Sequence, residues 1–467
     1  MCALTSHIVV DSCRIDSIQP RPPRDRHRPP QTAAGSLRQP RGHVETASST
    51  TPRPPGTAMS QPVAAPPVAP RLIAWRNAVF IIFTLSGLAM ASWVARLPAV
   101  RDELHLDTAS VGLVILGLSI GSVVGLVAAP QILARLGPRR GIVFSTTLTS
   151  AGLAGVAISA AVVPSPTLAT IFLALLGFGL GSLDVQMNVE GAANERAIGR
   201  TLLPLMHAFF SLGTVIGAGI GAAASALGIP VSWHLSVMAV LILAVTIGAV
   251  RFLPQTVDTE DPATSVKTPF RMRVKESLAV WADTRLLLIG LIILGMAFAE
   301  GSANDWIAIA TVDGHDQDNT TGALMFGVFV VAMTVGRVAG GPLLDRFGRV
   351  PVLRVSALIG AIGLLTFILT PALWSAMLGA ALWGIGSSLG FPVGISAASD
   401  DPKTAAARVS AVAIIGYVAF LAGPPLLGFL GQHFGILNAL FVVLILLVLA
   451  ALAAPAARER TGRFARP

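Results

Sequence analysis

Beyond about residue 70 the chain alternates apolar runs of some twenty residues with short polar breaks. A helix needs about 20 apolar residues to cross roughly 30 Å of hydrocarbon. Twelve runs reach that length, at about 74–95, 109–133, 140–162, 167–189, 202–226, 231–253, 285–310, 320–344, 351–370, 373–398, 407–430 and 436–455. Only helices suit them, because open strands would leave backbone groups unpaired in lipid. The pattern therefore predicts an all-α membrane protein with twelve transmembrane helices. The 46 glycines sit mostly inside the runs. Gly213-x-x-x-Gly217-x-x-x-Gly221 marks a face on which a neighbouring helix can pack closely.

The runs repeat. Gly336-Arg-Val-Ala-Gly-Gly-Pro-Leu-Leu-Asp-Arg-Phe-Gly-Arg349 closes one run and opens a basic loop. Gly125 to Arg139 echoes it 211 positions earlier: Gly125 matches Gly336, Arg135 matches Arg346 and Gly137 matches Gly348. Gly177-Phe-Gly179 parallels Gly384-Ile-Gly386, and Ala226-Leu-Gly228 parallels His433-Phe-Gly435, both at an offset of 207. These echoes predict two six-helix pseudo-symmetric bundles, 71–253 and 285–456, joined by a charged central loop at 254–284. Parallel halves of this kind place a substrate site between them, near mid-membrane.

Residues 1–70 are rich in Pro, Arg, Ser and Thr without an apolar period, the composition of a disordered tail. Met59 opens a short polar leader into the first run, so translation starting there would make the upstream tail a mis-annotated start. Both cysteines, Cys2 and Cys13, lie in that tail, which leaves no cysteine chemistry for the rest. Apolar residues make up 53% of the chain and charged ones 12%, against about 25% charge in soluble domains. The net charge of +9 is explained by topology. Arg135, Arg139, Arg140, Arg196, Arg200, Arg346, Arg349, Arg354, Lys403 and Arg408 fall in alternate loops, and the 457–467 tail is basic. By the positive-inside rule these loops and both termini are cytoplasmic. The expected setting is a bacterial inner membrane and the expected form a monomer. No nucleic-acid partner is needed.

The Gly336–Arg349 stretch resembles the loop signature of the major facilitator superfamily, G-x-x-x-D-R-x-G-R-R/K. The copy at 125–139 departs from it, with Ala134 in place of Asp and Pro138 in place of Arg. Asp184-Val-Gln-Met-Asn-Val-Glu190, His207-Ala-Phe-Phe-Ser-Leu-Gly213, Glu300-Gly301 and Asp305-Trp306 are similar to a bacterial subgroup that includes the rhizopine-locus membrane protein. The resemblance covers about 71–456. It implies alternating access driven by an ion gradient, usually protons, with a sugar- or polyol-like solute. It also implies a gate built from Asp345, Arg346, Gly348 and Arg349, with Asp345 pairing across the interface to an Arg or to a helix start, where a carboxylate is favoured.

Ionisable residues within the runs are the site candidates, since each costs on the order of 3 kcal/mol to insert. In the seventh run eight residues between Leu286 and Leu294 contribute about 0.5 kcal/mol each, enough to carry Glu300. Asn304 lies one turn on, on the same face, and both are expected in the cavity as solute contacts or a proton site. Asp305 and Trp306 are expected nearer the outer surface. Asp184 and Asn188 share a face of the fourth run, while Glu190 is expected at a solvated helix end. His207 could titrate near neutral pH, although a lone histidine more often packs. Arg337 calls for an anion, either a carboxylate such as Asp184 or an anionic substrate. A multidrug efflux antiporter is the alternative within transport, weakened because the fifth run has no Gly-Pro near its end. A non-transporting sensor would need an output domain, and the longest internal loop is too short for one. No metal cluster, nucleophile elbow or phosphate loop stands in the sequence, so neither enzymatic activity nor a cofactor is expected. The expected partners are a small solute, protons and the lipid bilayer.

Overall fold

A computed structural model describes residues 70–200, 202–255, 280–401 and 404–459. The predicted N-terminal tail, most of the central loop and most of the basic C-terminal tail lie outside the described residues. Among the described residues every regular element is a helix. The first set is α1 (Pro70–Val94), α2 (Leu97–Leu104), α3 (Thr108–Ala161), α4 (Pro166–Ile198), α5 (Leu203–Ala226) and α6 (Val231–Ala249). The second is α7 (Thr284–Ile309), α8 (Asn319–Phe347), α9 (Arg349–Leu369), α10 (Leu373–Ser387), α11 (Gly390–Ala398), α12 (Ala405–Phe434), α13 (Ile436–Ala439) and α14 (Phe441–Ala453).

Among the described residues eleven helical segments are long and apolar enough to cross a membrane. One of them, α3, runs 54 residues. At 1.5 Å per residue that is roughly 80 Å, more than twice the thickness of a hydrocarbon core. The backbone leaves the helix at Gly137 (φ 70°, ψ 175°) and resumes at Pro138, a residue suited to a first helical turn. Gly348, its partner in the sequence repeat, joins α8 to α9 with nearly the same angles (φ 77°, ψ 172°). Only glycine takes this conformation freely. Two aspartates 211 positions apart extend the repeat to the opposite helix ends. Asp107 caps α3 by accepting from the Ser110 amide at 2.8 Å, and Asp318 caps α8 by accepting from the Thr321 amide at 2.8 Å.

Packing repeats as well. The pairs α1 with α5, α3 with α4 and α3 with α6 in the first set are answered by α7 with α12, α9 with α10 and α9 with α14 in the second. The glycines of α5 lie against α1 as the spacing predicts: a Cβ on Gly213 would sit 2.0 Å from the Thr84 carbonyl oxygen. Trp93, Trp306 and Trp383 are fully buried, whereas residues such as Leu113, Ile120, Val127, Val240 and Leu452 point outward. The outer surface of the helices is thus apolar, as lipid requires.

The two sets meet along α3 with α12 and α5 with α8. A Cβ on Gly112 would stand 2.5 Å from the Pro424 carbonyl oxygen, and one on Gly428 2.8 Å from that of Thr108, so α3 and α12 touch backbone to backbone at the start of α3. Polar contacts between the sets gather at this same end. Arg101 of α2 pairs with Asp313, Asn319 donates to Asp102 at 3.0 Å, and the Thr108 amide donates to Gln432 at 3.0 Å.

At the opposite end, that of the two glycine turns, the ion pairs fall within the second set. Asp400 accepts from Arg349 at 2.6 Å and from Arg285 at 3.0 Å, and Arg408 pairs with Asp283 at 2.5 Å. The hydrogen bond from Arg408 holds the Asp283 carboxyl below the usual carboxylate range. Arg408, expected in a loop, is buried because α12 begins at Ala405. In the first set Arg139 donates to the Leu253 carbonyl at 2.7 Å.

Candidate functional site

A cavity of about 130 Å³ opens between the sets. Helices from both build it: α1 gives Ser86 and Met90, α3 gives Ser119 and Ser122, and α4 gives Asp184. Phe210, Ser211 and Thr214 come from α5, Glu300, Asn304 and Asp305 from α7, Phe326 and Arg337 from α8, and Tyr417 and Phe420 from α12. The first set contributes hydroxyls and the second most of the charge.

The structure brings Glu300, Asn304, Asp305, Asp184 and Arg337 together in this wall. Arg337 Nη2 donates to Glu300 Oε1 at 2.7 Å, with the side chains 29% and 12% exposed. Arg337 therefore has a carboxylate partner on the neighbouring helix α7, Glu300, where the sequence offered Asp184 as the example. A half-desolvated pair of this kind is costly to break, because the surviving charge stays behind without a partner. Asp305 also departs from expectation. Because α7 runs on to Ile309, Asp305 lies within the bundle and faces the cavity, and Trp306 is fully buried.

Other candidates stand beside the cavity. Asn188 is buried and does not line it. Its Nδ2 donates to the backbone carbonyl of Asp184 at 2.8 Å and to Asp184 Oδ1 at 3.2 Å, which braces that carboxylate. His207 is half-buried and sets its ring edge-on to Phe83, with centroids 5.2 Å apart. Asp345 and Arg346 are exposed at the glycine-turn end. Arg349, also assigned to the gate, is engaged by Asp400 and by Ser396 at 3.0 Å.

Several polar residues carry structure the sequence did not disclose. Glu190 is fully buried, not at a solvated end, because α4 continues two turns past it to Ile198. The indole of Trp75 on α1 donates to its Oε2 at 3.0 Å. Gln186 Nε2 donates to Ser145 Oγ at 2.9 Å and to Ser182 Oγ at 2.8 Å, tying α4 to the second arm of α3. The spacing of Ser182, Gln186, Glu190 and Asn194, four residues apart, was the available signal. Arg96 is buried and donates to the Ile229 carbonyl at 2.7 Å.

The sequence pattern of the Major Facilitator Superfamily matches residues 18–194 and 305–465. The chain belongs to this superfamily. An uncharacterized transporter, y4wD of Sinorhizobium fredii, is 30% identical over 383 residues, covering 80% of this chain and 95% of the relative. Membrane protein MosC of Rhizobium meliloti is 24% identical over 372 residues, covering 79% and 86%. Among solved structures, a mutant form of the nucleoside transporter NupG superposes with a TM-score of 0.68 at 15% identity, covering 82% of this chain and all of that one. The E. coli fucose:proton symporter FucP gives 0.56 at 16% identity, covering 84% and 100%. As a superfamily member the chain is a multi-pass membrane transporter and not an enzyme, and the two structures share its fold.

Proposed function

We propose that this transporter moves a small sugar- or polyol-like solute across the bacterial inner membrane by alternating access, coupled to protons. The observation that carries this reading is the cavity shared by the two sets, with hydroxyls on one wall and Glu300, Asp305 and Arg337 on the other. The break at Gly137 divides α3 into two crossings, which gives twelve spans in two six-helix halves. With Gly137 and Gly348 on the cytoplasmic side, the contacts at Arg101, Asp102 and Thr108 close the outer face, and the cavity belongs to an inward-facing state. The carboxylates of the cavity are the proton acceptors. When the inner face closes, Asp345 of α8 docks on the first half. Ala134 and Pro138 leave that half without a matching gate, so the inner lock is one-sided. The nucleoside and fucose carriers of similar fold support a polyhydroxylated solute.

The test is uptake by proteoliposomes of labelled sugars, polyols and nucleosides, with and without a pH gradient. Accumulation that collapses when a protonophore removes the gradient is the expected result. Uptake indifferent to the gradient would refute proton coupling, and uptake no greater than in empty liposomes across the panel would refute the substrate class.

A further inference from the structure

We propose that the outer face of the second set binds an anionic phospholipid, with one acyl chain in a groove between α8, α9 and α10 and the phosphate on Arg346. The site is separate from the cavity between the sets and does not depend on what that cavity carries.

A break in the internal repeat makes the groove. In the first set α4 runs unbroken from Pro166 to Ile198. It packs backbone to backbone on the first arm of α3, where a Cβ on Gly125 would stand 2.1 Å from the Phe178 carbonyl oxygen. The counterpart of α4 in the second set is interrupted: α10 ends at Ser387 and α11 begins at Gly390. There Gly336, the match of Gly125, faces a side chain, and its Cβ would stand 2.4 Å from Ser388 Oγ. Beside it lies an open space of about 360 Å³, lined by Val335, Leu343, Phe347, Pro351, Val355 and Ile385. Ser356 also lines this space. Ser145, its match 211 positions earlier, is instead bonded to Ser182 and Gln186 at 2.9 Å each.

Shape and charge name the occupant. Val335, Phe347 and Val355 are exposed, so the groove opens on the lipid-facing surface. From Val335 to Phe347 it follows twelve residues of α8, about 18 Å at 1.5 Å per residue. One leaflet supplies roughly 15 Å of hydrocarbon. A dry cavity of about 150 Å³ holds benzene, so a groove of about 360 Å³ takes about a dozen chain carbons. It is too narrow for a helix about 10 Å across. At the end of the groove Arg346 lays its guanidinium over the Phe347 ring, 5.3 Å from the centroid. Among the described residues Arg346 makes no ion pair. Leu343 and Phe347, four apart, share the groove face, and Asp345 between them lies on the opposite face of α8. The arginine stem can follow the apolar wall while its head reaches the headgroup layer, where a phosphate gives it a bidentate, charge-assisted partner. A zwitterionic lipid brings an ammonium beside its phosphate and so competes with the guanidinium; an anionic lipid does not.

Lipid titration of the purified full-length transporter in detergent tests this. Dimyristoyl phosphatidylglycerol, dimyristoyl phosphatidylcholine and dihexanoyl phosphatidylglycerol are compared by thermal stabilisation. The expected result is half-saturation at least fivefold lower for the long-chain phosphatidylglycerol than for the phosphatidylcholine, with no stabilisation by the six-carbon lipid over the same range. Arg346→Gln should erase the headgroup preference, and Arg135→Gln, its match in the first set, should keep it. Val355→Trp and Val335→Trp fill the groove from two exposed positions, and each should raise half-saturation for both long-chain lipids at least fivefold. Equal response to the two headgroups overturns the proposal, as does a panel in which no lipid stabilises. Equal loss of preference in Arg135→Gln and Arg346→Gln would reduce the effect to general surface charge and overturn it too. Unchanged lipid response in the folded tryptophan variants overturns the groove as the seat. A parent that elutes as a dimer and becomes a monomer in Val355→Trp would make a second copy the occupant, against the proposal.

Discussion

Under the proposed alternating access, the polar contacts between Arg101, Asp102, Asp313 and Asn319 are a latch whose strength sets how readily that end opens. Arg101 bonds Asp102 at 2.7 Å and pairs with Asp313 across the two sets, with side chains 13% and 32% exposed for the latter pair. Burial pulls its guanidinium down, but the bonds to Asp313 and Asp102 more than offset this and leave it raised. Exposed ion pairs contribute about 0.2–1 kcal/mol, and the sheltered guanidinium places this one near the top of that range. Arg101→Ala should therefore shift the equilibrium between closed and open by about 1 kcal/mol, roughly fivefold in population. Electron–electron distance measurements can read this from spin labels at Val162→Cys and Leu369→Cys, positions exposed at this end on different sets, with Cys2 and Cys13 replaced. The long-distance population should rise in Arg101→Ala and in Asp313→Ala, and the double variant should add little beyond either. Salt gives an independent arm, because screening shortens from about 8 Å at 0.15 M to about 3 Å at 1 M. High salt should move the parent protein toward the variant and leave the variant unmoved. Identical distance distributions in parent and Arg101→Ala, or fully additive single variants, would refute the latch.

Three further outcomes follow from the same geometry. Glu300→Gln and Arg337→Gln should each lower thermal stability and stop coupled transport, while the double variant regains part of the stability; a coupling energy under about 0.5 kcal/mol in that cycle would show the pair to be incidental. Gly112→Val places carbon 2.5 Å from the Pro424 carbonyl oxygen, so it should force α3 from α12, lower the melting temperature by several degrees and impair uptake; a parent-like melting temperature would contradict the close approach. Asp283 is held low by Arg408, so its contribution is present above the ordinary carboxylate value of about 3.9 and is lost as pH falls through the lower folded value. Melting temperatures should stay level from pH 7 to 5 and drop below about 4, with a smaller acid drop in Asp283→Asn; equal acid sensitivity in the two would refute the assignment.

The membrane fold was legible because apolar run length and positive-φ glycines are local properties. Gly137 and Gly348 could be matched by register, and the backbone at both has the same angles. The capping aspartates, Asp107 and Asp318, obey the same register, but a lone Asp in a polar loop gives no sign of its role. The α7 cluster was legible from the cost of placing Glu300 in an apolar helix. What failed was depth. Glu190 was assigned to a surface because α4 outlasts its apolar stretch, and Asp305 because it lies near the end of its run, where depth within the bundle depends on packing. Partner choice stayed open for a different reason: whether Arg337 meets Glu300 or Asp184 depends on how α8 is rotated, which no linear pattern specifies. Trp75 and Glu190 lie 115 residues apart in sequence, and only the packing of α1 against α4 makes them neighbours.

The joint at Gly137 has one more implication. It is a single residue long, so the two arms of α3 cannot draw apart, while the glycine's free dihedrals let the angle between them change. The first arm touches α12 backbone to backbone, while the second is pinned to α4 through Ser145 and Gln186. The angle between the arms can therefore change at Gly137 alone, while each arm keeps the packing it has with its own neighbour.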